Sequence, residues 1–457
     1  MALPVEILDY ILSFLQSDPA ALKKCSESHP SLCRLAEPYL YSHILLETDN
    51  ESDQCSKPTY LTQLLSKRPY IARYIRSLEI RVCGDDAETQ QRCLEEISTI
   101  LPNLLALRGI TLDHAWSLFD WDVQPESFRL AFLDCLHSQS IQDLCINYVY
   151  EFPIASALNG ESKSIRNLTV LGGCMDGPFV NQVLPLKSLC IEVGFIQGFA
   201  PWFATCRSQL HSLEFLPCDD CDYALLPLLL ASSSNSLTSL DIHLGLAKSR
   251  MSSAIYYCTF IPFADFYDFN SSSIDHGVTA KIPVTLSTLP RLEQLTIRAT
   301  LHYIFESSSA RQHGFYSPIP AITLLFSSNA SSLKHLILDF DFTITSHSLV
   351  RTDTLSWSFI SEVFCSPLVH LLSTLSASEC SGFASSAVSI QVDLHLSGAS
   401  FGHFSTTNRA GLRHVPIYII HYILSGSKEL MQFVEQGRLI VTPPVPTSFN
   451  IYALDCW

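Results

Sequence analysis

The chain opens on an alternation of apolar and polar residues that has a helical period. In LPVEILDYILSFL, residues 3–15, the polar side chains of Glu6, Asp9 and Ser13 fall largely on one side. The apolar residues recur at intervals of three and four and form one broad face, and they are Leu3, Ile7, Leu8, Ile11, Leu12 and Leu15. This spacing predicts an amphipathic helix, whose apolar face covers either a core or a partner protein.

Two more helices are predicted directly after the first. Asp18 before Pro19 is a typical helix start, because Asp caps free amides and Pro fits the first helical position. Pro30 repeats the signal for a third helix with apolar residues from Leu32 to Ile44, and Pro38 should kink or split that helix. Three such short helices have a marginal core, so an exposed face on the first helix requires support from elsewhere.

Beyond residue 70, a different pattern recurs: an apolar residue, two variable residues, Leu, one variable residue and another apolar residue. It begins at eight positions, which are Ile75, Ile141, Ile165, Leu186, Leu210, Leu237, Leu292 and Leu333. The Leu and the apolar residue after it point to the same face of a short strand. Starts between 141 and 237 are 24, 21, 24 and 27 residues apart, within the roughly 20 to 29 residues of leucine-rich repeats.

Segments of helical pattern, such as PESFRLAFLDCLHSQS and PWFATCRSQ, separate these strands. Strand, turn and helix at this period predict an α/β fold in which parallel strands form an irregular solenoid over about residues 60–400. An aromatic-rich insertion interrupts it at about 245–290, and QVDLHLSG, starting at Gln391, reads as a last strand. We expect residues 401–457 to form a C-terminal cap.

Composition narrows the choice of function. The chain is 47% hydrophobic and 16% charged, which predicts a folded protein, and no apolar run is long enough to span a bilayer. Its net charge of −16 disfavours binding to nucleic acid. The first stretch lacks the basic start of a signal peptide, so we interpret the sixteen cysteines as reduced thiols and expect a cytoplasmic or nuclear protein.

The N-terminal stretch LPVEILDYILSFLQSDPAALKKCSESHPSLCRLAEPYLYSHILL resembles an F-box of the form found in many fungal F-box proteins. The resemblance covers about residues 3–45 and implies a short three-helix domain that docks on a Skp-type adaptor, which links to a cullin. Carried over by position, it implies adaptor contacts by Leu3, Pro4, Ile7, Leu8, Ile11 and Leu15. Leu22 and Leu32 would support the unit.

Candidate catalytic and metal sites are weak in this sequence. Cys218 and Cys221 have the spacing of a zinc half-site, but no second pair stands out, and the two intervening acids disfavour a redox thiolate. Asp339 and Asp341 resemble paired cation ligands, but a lone pair of carboxylates at a strand end is more often a solvated edge. Nucleotide-binding, serine-hydrolase and zinc-protease motifs are missing, so we expect no catalysis, cofactor or metal.

One residue of each repeat strand should lie between the two inward apolar positions and face outward. Three of these residues are acidic, Glu79, Glu214 and Asp241, and none is basic, which suggests either a surface for a basic protein target or an ordinary solvated face.

Together with the F-box resemblance, these features favour a substrate-recognition subunit of a Skp-cullin-F-box type ubiquitin ligase. The alternative is a leucine-rich-repeat interaction scaffold that does not assemble into a ligase. An enzyme is a third possibility, favoured only if the insertion and Asp339 enclose a pocket with a bound ligand or metal.

Overall fold

A computed structural model of the chain describes residues 4–48, 57–83, 86–114, 119–138, 140–158, 164–172, 186–193, 209–217, 225–244, 286–305, 314–316, 332–346, 390–397 and 439–442, together with residues 369, 370, 373, 432 and 435. The described residues fall into two compact units, and the second begins at Leu210.

Three short helices open the first unit, as predicted: α1 (Val5–Ser13), α2 (Pro19–Ser28) and α3 (Pro30–Leu40). Asp18 caps α2, because its Oδ1 accepts a hydrogen bond of 2.9 Å from the Ala21 amide. His29 caps α3 in the same way, with 3.1 Å between its Nδ1 and the Ser31 amide nitrogen. The proline that follows each cap occupies the first helical position, where its missing N–H has no cost.

The prediction that the third helix extends to Ile44 is wrong. Helix α3 continues past Pro38 only to Leu40, and Ile44 lies in strand β1 (His43–Glu47). Pro38 cannot donate a backbone hydrogen bond, which weakens the end of the helix. The segment after the helix forms its hydrogen bonds with a neighbouring strand instead, and Ile44 has Leu78 of that strand as its register partner. The predicted domain boundary at residue 45 therefore falls inside a strand.

The rest of the first unit alternates helices and strands. Its further elements are α4 (Lys57–Lys67), a 3₁₀ turn (Pro69–Arg73), β2 (Ser77–Val82), α5 (Ala87–Ile100), a 3₁₀ turn (Leu101–Asn103), β3 (Gly109–His114), β4 (Phe119–Asp120), α6 (Glu126–Ser138), β5 (Asp143–Asn147), β6 (Val149–Tyr150), α7 (Ile154–Leu158), β7 (Asn167–Leu171) and β8 (Ser188–Val193). Strands β1, β2, β3, β5, β7 and β8 pair in that order, and every pair is parallel. Strands β4 and β6 form a separate parallel pair.

The second unit continues the same scheme. It contains β9 (Ser212–Pro217), α8 (Leu226–Ser233), β10 (Ser239–Leu244), a 3₁₀ turn (Leu286–Thr288), β11 (Gln294–Phe305), β12 (Gly314–Tyr316), β13 (His335–Ser346), β14 (Ile390–Ser397) and β15 (Leu439–Thr442). Strands β9, β10, β11, β13, β14 and β15 pair in parallel, and β12 pairs antiparallel with β11. The predicted α/β fold with parallel strands is confirmed.

All eight strands predicted from the repeated pattern are present. Leu213 and Leu240, the Leu positions of two successive patterns, are register partners on β9 and β10, and both are fully buried. Their equivalence as inward positions was a prediction of the pattern and is confirmed. The pattern did not predict strand β3, because Ile110 stands at the position where the pattern requires Leu. The apolar residues at its first and last positions, Leu107 and Leu112, are buried, and so is Ile110.

An aromatic cluster fills part of the core of the first unit. Trp121 packs with its ring edge-on against Phe152, at 4.9 Å between ring centroids, and against Phe132, at 5.6 Å. Phe128 joins the same group at 6.0 Å from Trp121. Since aromatic pairs in these geometries add stability beyond the area they bury, this cluster holds α6 against the segments that follow β4 and β6.

Several predicted features lie outside the described residues. They are the segment PWFATCRSQ up to residue 208, the insertion up to residue 285, the pair Cys218 and Cys221, and most of the predicted cap. The strand expected from Gln391 is present as β14, but β15 follows it, so it is not the last strand. In the described part of the chain, no helix has the length and apolar character needed to cross a membrane.

Candidate functional site

Helix α1 has two apolar faces, and one of them packs inside the three-helix unit. Leu12 is 2% exposed and belongs to a small core with Leu22 and Ala36. Leu15 is half-buried and packs against the same core, and Leu8 is half-buried. This face therefore carries the residues that hold the unit together.

The other apolar face of α1 is exposed. The side chains of Ile7, Tyr10, Ile11 and Phe14 are 46%, 63%, 47% and 67% exposed. Their spacing of three, one and three residues places them on one stripe, which we call the α1 stripe. The Tyr10 and Phe14 rings meet edge to face at 4.8 Å. A contiguous exposed apolar stripe of this kind is typical of a protein interaction surface.

The predicted adaptor contacts divide between these faces. Ile7 and Ile11 lie on the α1 stripe and Pro4 is exposed beside it, whereas Leu15 packs inward and Leu8 lies between. Leu3 lies outside the described residues. Sequence reasoning missed Tyr10 and Phe14, although they continue the spacing that starts at Ile7.

Two polar contacts hold α1 and α3 in place. The Tyr39 hydroxyl donates a hydrogen bond of 3.0 Å to Asp9 Oδ1 on α1. Partial burial and this carboxylate raise the pKa of Tyr39 above its ordinary value, so the phenol stays protonated and keeps its donor. On α3, the Glu37 side chain is buried and accepts hydrogen bonds of 3.3 Å from Arg68 and from Tyr70. The exposed α1 stripe is therefore presented by a unit that is anchored to the rest of the first unit.

The outward face of the sheet in the first unit is charged and internally paired. The Glu79 carboxylate accepts a hydrogen bond of 2.5 Å from the Arg81 guanidinium. Nitrogen atoms of the same guanidinium lie 3.2 Å from a Glu47 carboxylate oxygen and 3.5 Å from an Asp113 carboxylate oxygen. Lys57 pairs with Glu47 and holds the pKa of that carboxyl below its ordinary value. Three carboxylates thus share two bases, so the group retains a negative charge.

A second charged group lies on the outward face of the second unit. Arg298 donates to Asp241 Oδ2 through Nε at 3.1 Å and Nη2 at 2.8 Å. His243 Nε2 lies 3.4 Å from Glu214 Oε1 and 3.8 Å from Asp241 Oδ1. Burial raises the pKa of Asp241 above its ordinary value, although Arg298 and His243 oppose the shift.

The outward faces carry basic residues beside the predicted acidic ones. The prediction used one outward position per strand, but the next outward position, two residues later, carries Arg81, His243 and Arg298. The signal was in the sequence, because residues two apart on a strand share a face. The target-binding role of Glu79, Glu214 and Asp241 stays a prediction.

The ion pair between Asp241 and Arg298 should contribute to stability. Replacing Arg298 with Met should lower the free energy of unfolding by about 1 to 3 kcal/mol, because the half-buried Asp241 carboxylate loses its two hydrogen bonds. Urea unfolding measures this change. Lys334→Met is the matched control, since Lys334 pairs with Glu293 at 2.8 Å with both side chains exposed and should cost at most about 0.5 kcal/mol. Equal effects of the two substitutions would contradict the assignment.

Comparisons with known proteins identify no family for this chain. No family model matches it, and no curated protein matches it. A crystal structure of a protein from Bacteroides fragilis, a structural-genomics target, is similar over 71% of this chain at a TM-score of 0.27 and 11% sequence identity. This chain spans 61% of that protein's length.

Proposed function

We propose that this protein is the substrate-recognition subunit of a Skp-cullin-F-box type ubiquitin ligase. In this proposal the three N-terminal helices form an F-box that docks on a Skp-type adaptor, and through it on a cullin, in the cytoplasm or nucleus. The strands that follow these helices form a leucine-rich-repeat-like solenoid, which presents a protein target. The chain positions the target, and another subunit transfers ubiquitin.

The α1 stripe is the observation that carries the proposal. Its four large apolar side chains are exposed, while the opposite face of the same helix already fills the core of the unit. Covering an exposed Ile or Phe side chain fully is worth roughly 1.5 to 3 kcal/mol, so a partner that covers this stripe gains substantial binding free energy. The F-box resemblance of residues 3–45 indicates a Skp-type adaptor as that partner.

The connection between the helices and the sheet supports the role of a rigid receptor. Only Tyr41 and Ser42 separate α3 from β1, and β1 is hydrogen-bonded to β2 over five register pairs. Glu37 adds side-chain contacts from α3 to Arg68 and Tyr70. A protein that has to hold a target at a fixed place relative to an adaptor needs a stiff connection of this kind.

The outward face supports a charged rather than an apolar contact with the target. Glu79 belongs to a group with an excess of carboxylates, and Glu214 and Asp241 lie beside His243 and Arg298. We propose that Glu79 on the first unit, and separately Glu214 and Asp241 on the second unit, contribute to polar surfaces that receive basic segments of the target.

Co-purification tests the proposal directly. The full-length chain, co-expressed with a Skp-type adaptor and the N-terminal part of a cullin, should elute as one complex with equal amounts of the chain and the adaptor. The alternative, a repeat scaffold that does not enter a ligase, predicts a folded chain that elutes without the adaptor. That second outcome, with an adaptor preparation that binds another F-box protein, would overturn the proposal.

A further inference from the structure

Three potential metal ligands meet on the outward face of the second unit. Asp241 and His243 are two residues apart on β10, so their side chains share a face. Glu214 on β9 is the register partner of Asp241. One ligand atom of each residue, a carboxylate oxygen or an imidazole nitrogen, lies within 4.8 Å of the other two.

The distances between these atoms fit a shared metal ion better than direct hydrogen bonds. His243 Nε2 is 3.4 Å from Glu214 Oε1 and 3.8 Å from Asp241 Oδ1. Charge-assisted hydrogen bonds between nitrogen and oxygen are shorter, at about 2.7 to 2.9 Å. Ligand atoms bound at about 2.0 to 2.2 Å to a tetrahedral zinc ion are separated by about 3.3 to 3.6 Å, so the distance of 3.4 Å matches such a site and the distance of 3.8 Å is slightly longer.

The environment of Asp241 points to the same conclusion. Its Oδ2 accepts both hydrogen bonds from Arg298, whereas its Oδ1 is buried and has no hydrogen-bond partner among the described residues. A buried carboxylate oxygen without a partner is costly, and a cation at this place would remove the cost. Arg298 would then act as an outer-shell group that orients the ligand.

We propose that Glu214, Asp241 and His243 form a binding site for a divalent transition-metal ion of the zinc class. An imidazole nitrogen with two carboxylate oxygens suits zinc, whereas calcium takes six to eight oxygen ligands. Three protein ligands leave one position of a tetrahedral ion for water or for a side chain of a bound protein. The site lies on β9 and β10 and does not depend on adaptor docking.

Zinc titration of the full-length chain tests the site. Isothermal titration calorimetry under reducing conditions should show one class of site that Glu214→Gln and His243→Asn each weaken at least tenfold. Glu293→Gln is the matched control, because Glu293 is an exposed acid of the same unit that pairs with Lys334, and it should leave zinc binding unchanged. Thermal unfolding of each variant without metal checks that the fold is retained.

Cobalt distinguishes this site from zinc binding by the cysteines. Co²⁺ in the proposed site should give visible absorption bands without the intense near-ultraviolet band of cobalt bound to thiolate, and His243→Asn should remove the visible bands. No bound zinc, binding that neither variant weakens, or cobalt spectra dominated by thiolate would overturn the proposal. The three side chains would then form only a network of ion pairs.

Discussion

Replacing Ile7 with Asp should lower the affinity of the chain for a Skp-type adaptor by at least about tenfold. Ile7 and Ile11 lie one helical turn apart on the α1 stripe, and covering an Ile side chain is worth roughly 1.5 to 3 kcal/mol when burial is complete. Each 1.4 kcal/mol corresponds to about tenfold in affinity, and the carboxylate adds a desolvation cost. Adaptor binding measured by calorimetry gives the change, and Ile11→Asp should behave in the same way.

The stability of the free chain should hardly change in these two variants. Ile7 and Ile11 are 46% and 47% exposed, so a charged replacement remains in contact with water. Leu130→Asp is the matched control for binding, because Leu130 is 55% exposed and lies on α6, outside the three N-terminal helices. If Ile7→Asp retains full adaptor affinity, or if it unfolds the protein, the α1 stripe is not the docking surface.

Truncation of Leu213 or Leu240 to Ala should lower the free energy of unfolding by about 2 to 5 kcal/mol each. Both side chains are fully buried and lie opposite each other on neighbouring parallel strands. The substitution removes three buried carbon atoms and leaves a cavity that the rigid strands cannot close, so the cost exceeds the transfer free energy alone. Urea unfolding of the full-length chain measures the loss.

Leu228→Ala provides the matched control for these truncations. Leu228 lies on α8 in the same unit and is 40% exposed, so its loss should cost less than about 1 kcal/mol. The two buried leucines are register partners on adjacent strands, and the double variant should therefore deviate from the sum of the single variants. Similar costs at all three leucines would show that the repeated pattern does not define the core.

Local sequence was sufficient where short-range chemistry decides the structure. The starts of α2 and α3 follow from Asp18 and Pro19 and from Pro30, because the cap and the proline act within one helical turn. The eight strands follow from a pattern that repeats over the chain, because burial of alternate residues selects the register of each strand. Ile110 shows the limit of the pattern, since a strand accepts Ile as readily as Leu at the inward position.

The sequence alone determined that the first helix is amphipathic, that parallel strands follow it, and which residues of those strands point inward. It did not determine which apolar residues of the first helix face the core, because Ile7, Leu12 and Leu15 all fit one broad helical face. Leu12 and Leu15 are distinguished from the α1 stripe only by their packing against the core that contains Leu22 and Ala36. It also did not determine the pairing of Asp241 with Arg298 or the approach of Asp241 to Glu214, whereas the closeness of Asp241 and His243 follows from their positions two residues apart on one strand. Residues 57 positions apart become neighbours only when β10 and β11 lie side by side in one sheet, and this contact between strands was decided by the tertiary structure.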